Sequence, residues 1–89
     1  MATMTTAAGE ALAFEEFGDP AAPAVVFIRG TGAAGHRWMP QVEAYKARYR
    51  CVIFDNRGAG ASSAPPPPYT VRDMADDTLA LMDHLGIDQ

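Results

Sequence analysis

No second cysteine accompanies Cys51, so the chain can form no internal disulfide. Within the run Cys51-Val52-Ile53-Phe54 that thiol reads as a small buried hydrophobe. Positive charge is also scarce: 7 Lys and Arg stand against 11 Asp and Glu, a formal charge of −4. Lys46, Arg48 and Arg50 cluster only locally, at what reads as a solvated helix end, so no nucleic-acid partner is expected. No apolar stretch approaches the roughly 20 residues that cross a bilayer, so no membrane partner is expected either. Residues 1–9 have neither the basic flank nor the apolar core of a signal peptide, and the expected compartment is cytoplasmic. No metal or other cofactor is expected.

What the chain does have is two short apolar runs, each closed by a glycine-rich turn. Its 89 residues permit one small domain or a piece of a larger one, and 48% hydrophobic content is ordinary for a globular protein. Residues 1–9 are small and polar, without a period, and read as a disordered tail. Residues 10–17 alternate loosely, with Leu12 and Phe14 on one face, and read as a strand followed by the turn Gly18-Asp19-Pro20. Residues 24–28 and 51–54 are unbroken apolar runs bounded by turn residues, the form taken by parallel strands buried on both faces. Between them Trp38, Val42, Tyr45 and Tyr49 share one helical face, and Pro40 restricts that helix to starting near Met39. Four consecutive prolines, 65–68, stiffen the next loop. Thr70 with Asp73 forms a capping box, and Val71, Met74, Thr78, Met82 and Leu85 mark a helical face that Gly86 ends. His84 suits the negative end of that helix. The order strand, strand, helix, strand, helix predicts an α/β fold with open sheet edges, in one unit spanning residues 10–89.

Three motifs compete for the chemistry. Gly30-x-Gly32-x-x-Gly35 lies between a strand and a helix, and Asp55 follows Gly35 by twenty positions, about where a dinucleotide-binding βαβ unit places its ribose-binding acid. Pro40 opposes that reading, because a helix opening inside the glycine motif would have to pass through it. Gly60-x-Ser62-x-Ala64 is a near match to a nucleophile elbow, but the prolines forbid the helix that must follow, so Ser62 reads as a turn residue. The third is Asp55-x-Arg57-Gly58-x-Gly60-x-Ser62 after a buried strand.

Together with Arg29-Gly30-Thr31-Gly32, Trp38-Met39-Pro40 and Leu85-Gly86-Ile87, this third motif resembles the N-terminal portion of the α/β-hydrolase superfamily, over residues 10–89. The wording Phe54-Asp55-Asn56-Arg57-Gly58 with Pro68-Tyr69-Thr70 is similar to esterases and lactonases, relatives of 3-oxoadipate enol-lactonase. The resemblance implies a serine hydrolase acting on a small-molecule ester or lactone. It places one oxyanion-hole amide at Thr31, flanked by Gly30 and Gly32, although Arg29 stands where His is common. Asp55, Arg57, Gly58, Gly60 and Ser62 become a structural turn, with Asp55 and Arg57 suited to tying it by charge-assisted hydrogen bonds. Trp38 is a candidate for the substrate pocket, with helix packing as its plainer role. The family's serine, acid and histidine all lie downstream, and His36 and His84 have no serine in a competent turn to serve. These 89 residues are therefore expected to be inactive alone. The alternative function is a non-catalytic piece that pairs with itself or another chain through the edge strand 24–28.

Overall fold

Period-two alternation decides which side chains each strand sends to which face. The computed structural model describes residues 2–7, 9–28, 35–62, 64 and 70–88. Its central strand, β4 (Arg50–Phe54), sends Val52 and Phe54 to one side of the sheet and Cys51 and Ile53 to the other. Strand β3 (Ala24–Phe27) runs parallel to β4, with Val25 opposite Cys51 and Phe27 opposite Ile53. On the far side β2 (Ala11–Phe17) runs antiparallel to it, with Phe14 opposite Phe54. The sheet order is β1-β2-β4-β3, where β1 is Ala2–Thr5.

Each face carries one helix. Leu81, Met82 and Leu85 of α2 (Val71–Leu85) cover Leu12, Phe14, Val26, Val52 and Phe54. Val42 and Met39 of α1 (Met39–Tyr45) cover Phe27, Cys51 and Ile53. Leu12, Val42, Val52 and Leu81 are all 0% exposed. At roughly 1.5–3 kcal/mol for each fully buried aliphatic side chain, this two-sided burial outweighs any surface contact in holding the layers together. Both helices show their predicted local signals. Thr70 Oγ1 accepts from the Asp73 amide (2.9 Å) while Asp73 Oδ2 accepts from the Thr70 amide (3.0 Å), and Gly86 closes α2 at φ +70°. Pro40 sits in the first turn of α1, where no intrahelical amide is needed. Among the described residues no helix is long and apolar enough to cross a membrane.

Two expectations change. Residues 1–9 are not a disordered tail throughout: Ala2–Thr5 pairs with β2 from Ala2 opposite Phe14 to Thr5 opposite Ala11, and Met4 enters the core at 7% exposure. The reversal is tied at Thr6, whose amide donates to the Glu10 carbonyl and whose hydroxyl accepts from the Glu10 amide. That strand exists because β2 offers it an edge, a tertiary cause with no local period. The helix after Trp38 is also shorter than its apolar face implied. It stops at Tyr45, and the amides of Arg48 and Tyr49 both fold back on the Tyr45 carbonyl, so Tyr49 belongs to the turn that delivers the chain to β4. The proline run 65–68 lies outside the described residues.

Candidate functional site

Parallel strands in an open α/β sheet present ligands at their carboxyl ends. Here those ends are Phe27 of β3 and Phe54 of β4, and the chain leaves β4 at Asp55, which is 3% exposed. A buried carboxylate needs hydrogen-bond donors, and Asp55 finds them in the backbone. Oδ1 accepts from the Gly35 amide at 2.7 Å, and Oδ2 accepts from the Ala61 amide at 2.9 Å. Its own amide donates to the Ala13 carbonyl of β2 at 2.9 Å. The Ser62 hydroxyl donates to the Asp55 carbonyl and accepts from the Ala13 amide, the latter at 2.9 Å. Asp55 and Ser62 thus join the loop after β4 to β2 and to the turn Gly35–Trp38.

The glycines of this loop have a steric reason. Gly60 has φ +51°, and a Cβ there would run into the Asp55 carboxylate. Gly35 is packed on the β4 backbone so closely that a Cβ would lie 2.5 Å from the Phe54 carbonyl oxygen and 2.7 Å from its nitrogen. Arg57 leaves the loop altogether. Its Nε reaches Asp77 Oδ2 at 2.7 Å and its Nη2 reaches Asp77 Oδ1 at 2.8 Å, while Nη1 stands 4.0 Å from Asp73. The hydrogen bonds to Asp77 raise the guanidinium's affinity for its proton further above its ordinary value. The two charged residues expected to tie one turn therefore do different things: Asp55 binds backbone amides, and Arg57 ties the loop to α2.

Thr31, Gly30 and Gly32, and Arg29 before them, lie outside the described residues. Trp38 is half-buried against Phe27, ring centroids 5.2 Å apart, in the cluster under α1. His36 is exposed; His84 is exposed in the last turn of α2, edge-on to Phe14 at 5.8 Å. The Leu85 carbonyl takes its cation from Arg50 instead (Nη2, 3.1 Å), whose Nε also holds Glu16 at 2.7 Å. Among the described residues no cluster of His, Cys, Asp and Glu could hold a metal ion. An open cleft beside Ala24, Arg50, Gly86 and Ile87 lies at the amino ends of β3 and β4, opposite the candidate site. The twenty-residue spacing of Gly35 and Asp55, which in sequence matches a ribose-binding acid, has its cause in the hydrogen bond between them. The observed cause opposes a dinucleotide site. Both carboxylate oxygens of Asp55 face protein amides, and α1 opens only at Met39, after a 3-10 turn spanning Gly35–Trp38.

Comparison with known proteins adds an independent line. Residues 23–89 match the family model described as the alpha/beta hydrolase fold. The chain is 37% identical over 84 residues to 3-oxoadipate enol-lactonase 2 of Acinetobacter baylyi, a match covering 94% of this chain and 32% of that protein. The crystal structure of the enol-lactonase from Burkholderia xenovorans superposes with a TM-score of 0.91 at 32% identity, over 99% of this chain and 34% of that one. A hydrolase from Pseudomonas aeruginosa gives a TM-score of 0.90 at 34% identity, over 96% of this chain and 32% of its own. The chain spans about a third of the length of the relatives it matches.

Proposed function

The chain belongs to the α/β-hydrolase fold family, and from that premise we propose that it is the N-terminal part of a serine hydrolase of carboxylic ester or lactone bonds. The observation that carries this reading is the loop after β4, built around Asp55 at the carboxyl end of the parallel strands and bound to Gly35, three positions after Gly32 in sequence. In the whole enzyme a serine contributed by later sequence attacks the substrate carbonyl. The developing negative charge on the carbonyl oxygen is met in part by the Thr31 amide. A preorganised donor of this kind is worth about 2.7–4 kcal/mol in the transition state. Asp55, Gly58, Gly60 and Ser62 shape the loop after β4, Arg57 ties that loop to α2, and Trp38 packs against Phe27 just ahead of α1. The lactonases among the relatives support an ester or lactone substrate. A free buried thiol at Cys51 suits a reducing, cytoplasmic compartment.

The test begins with the coding DNA beyond codon 89. An in-frame strand leading into G-x-S-x-G, in a protein whose turnover of p-nitrophenyl acetate or an enol-lactone is abolished by replacing that serine with alanine, supports the proposal. Ester turnover by the purified 89-residue chain itself would overturn the claim that it is inactive alone.

A second reading has one observation in its favour. Strand β3 ends the sheet order, and β4 is its one strand partner among the described residues. An open edge of this kind is a template for pairing with another chain. Sedimentation across a wide concentration range tests it, and a monomer at every concentration rules out self-association through residues 24–28.

A further inference from the structure

We propose that α2 is built in two parts divided at Asp77, and that its first six residues, 71–76, open as a latch while the rest of the helix stays on the sheet. Two arginines fix how the helix lies. Arg50, at the start of β4, donates to the Leu85 carbonyl at the end of α2, and Arg57, three positions after the end of β4, meets Asp73 and Asp77 near its start. The helix therefore runs back along β4. Its start lies at the carboxyl end of the parallel strands, where open α/β sheets meet ligands. The 15 residues of α2 span about 22 Å and the 5 residues of β4 about 16 Å. With Leu85 pinned at Arg50, the surplus of about 6 Å, or about four residues, falls at the start of the helix.

Burial divides the helix at the same place. None of residues 71–76 is buried, and Val71 is 81% exposed, whereas Asp77, Thr78 and Leu81 are buried. A cavity of about 340 Å³ is lined by Asp73 and Asp76 of the latch together with Asp77, Arg57 and the reversal at Thr6 and Ala7. The latch thus meets open space there, not apolar side chains. The contacts that hold it are polar and unequal. Arg57 grips Asp77 with two bonds to a carboxylate that is 3% exposed, but its Nη1 stands 4.0 Å from Asp73, which is 39% exposed. The capping box between Thr70 and Asp73 is likewise at the surface. Exposed polar contacts of this kind hold little, so opening costs little up to Asp77 and is stopped there. The device lets the ligand end of the sheet loosen while the core stays folded.

The experiment is native-state hydrogen exchange of the full-length protein, read at single amides in increasing urea. A helical amide is held by the carbonyl four residues earlier. Opening of residues 71–76 therefore frees amides up to Ala80, and Leu81, whose acceptor is Asp77, is the first one kept. Amides 74–80 are expected to share one protection factor, about 100-fold or more below that of amides 81–85, and to depend little on urea because little surface opens. Asp73→Ala removes half of the capping box and the outer contact of Arg57. It is expected to lower protection of the first block about 5-fold and leave the second unchanged. Thr70→Ala, from the other half of the box, is expected to do the same and carries the test should Asp73→Ala fail to fold. The latch is overturned if α2 exchanges as one block, or if protection rises gradually from Met74 with no step at Leu81, which is ordinary end fraying. It is overturned equally if the substitutions change neither block, or lower both together.

Discussion

Arg57 grips Asp77 across twenty residues of chain with two parallel bonds, Nε to Oδ2 at 2.7 Å and Nη2 to Oδ1 at 2.8 Å. Their side chains are 13% and 3% exposed, so this is a pair largely withdrawn from water. Its worth lies less in attraction than in what a lone survivor would cost. Asp77→Leu should strand a buried guanidinium and destabilise the protein by about 3 kcal/mol. The double change Arg57→Leu with Asp77→Leu should cost less than the two single changes summed. Urea unfolding of all four proteins measures this, and strict additivity would show that the pair is not coupled.

The seat of Gly35 on β4 predicts a different kind of sensitivity. A methyl group there meets backbone atoms of Phe54, which cannot swing aside as a side chain could. Gly35→Ala should therefore cost about 3 kcal/mol or more, through overpacking and loss of the bond to Asp55. Gly86→Ala is the comparison, because its φ of +70° disfavours alanine but nothing lies within 4 Å of the added atom. It should cost only about 1 kcal/mol. Equal losses at the two positions would mean that the close approach at Gly35 is relieved by movement of the turn.

Which parts of this were legible in sequence follows from how far each cause reaches along the chain. The apolar run that became β4, the Thr70–Asp73 capping box and the stop at Gly86 are local, and each forms as expected, whereas the run 24–28 forms a strand only to Phe27 and leaves Ile28 exposed, because β3 lies at the end of the sheet order. Pro40 likewise marks the start of α1. Strand β1 was missed because its cause is an available edge on β2 rather than any pattern in residues 2–5. At the site, the motif around Asp55 was visible but its partners were not. Asp55 and Arg57 are two apart in sequence, which suggested that they tie the same turn, yet their bonds run to Gly35 and to Asp77, each twenty residues away in opposite directions. Nothing short of the folded chain shows such pairings.

The capping box at the start of α2 should titrate. The Thr70 amide, the Thr70 hydroxyl partnership and the nearby Arg57 hold the Asp73 carboxyl below the usual carboxylate range. Because the folded value is depressed, the stabilisation is complete above the ordinary value of about 3.9 and is lost as pH falls through the lower, folded value. The first turn of α2 should fray in that acid window. Asp73→Asn should remove this component, and amide shifts of Thr70 and Asp73 followed against pH would show it. An unchanged acid limb in the variant would assign the loss to other carboxylates.

Cys51 offers a readout of the core between α1 and the sheet. Its side chain is 0% exposed beside Ile53 and Val42, and burial pushes the thiol's pKa up, away from the reactive thiolate. A disulfide reagent at mildly alkaline pH should find no reactive thiol in the folded protein and one equivalent after unfolding in guanidinium. The rate in the native state should then follow opening of the α1 face, so Val42→Ala, which opens a cavity over the same cluster, should speed labelling more than Leu81→Ala on the other face does. If both substitutions accelerate it equally, exposure of Cys51 requires global unfolding and the two helices come off together.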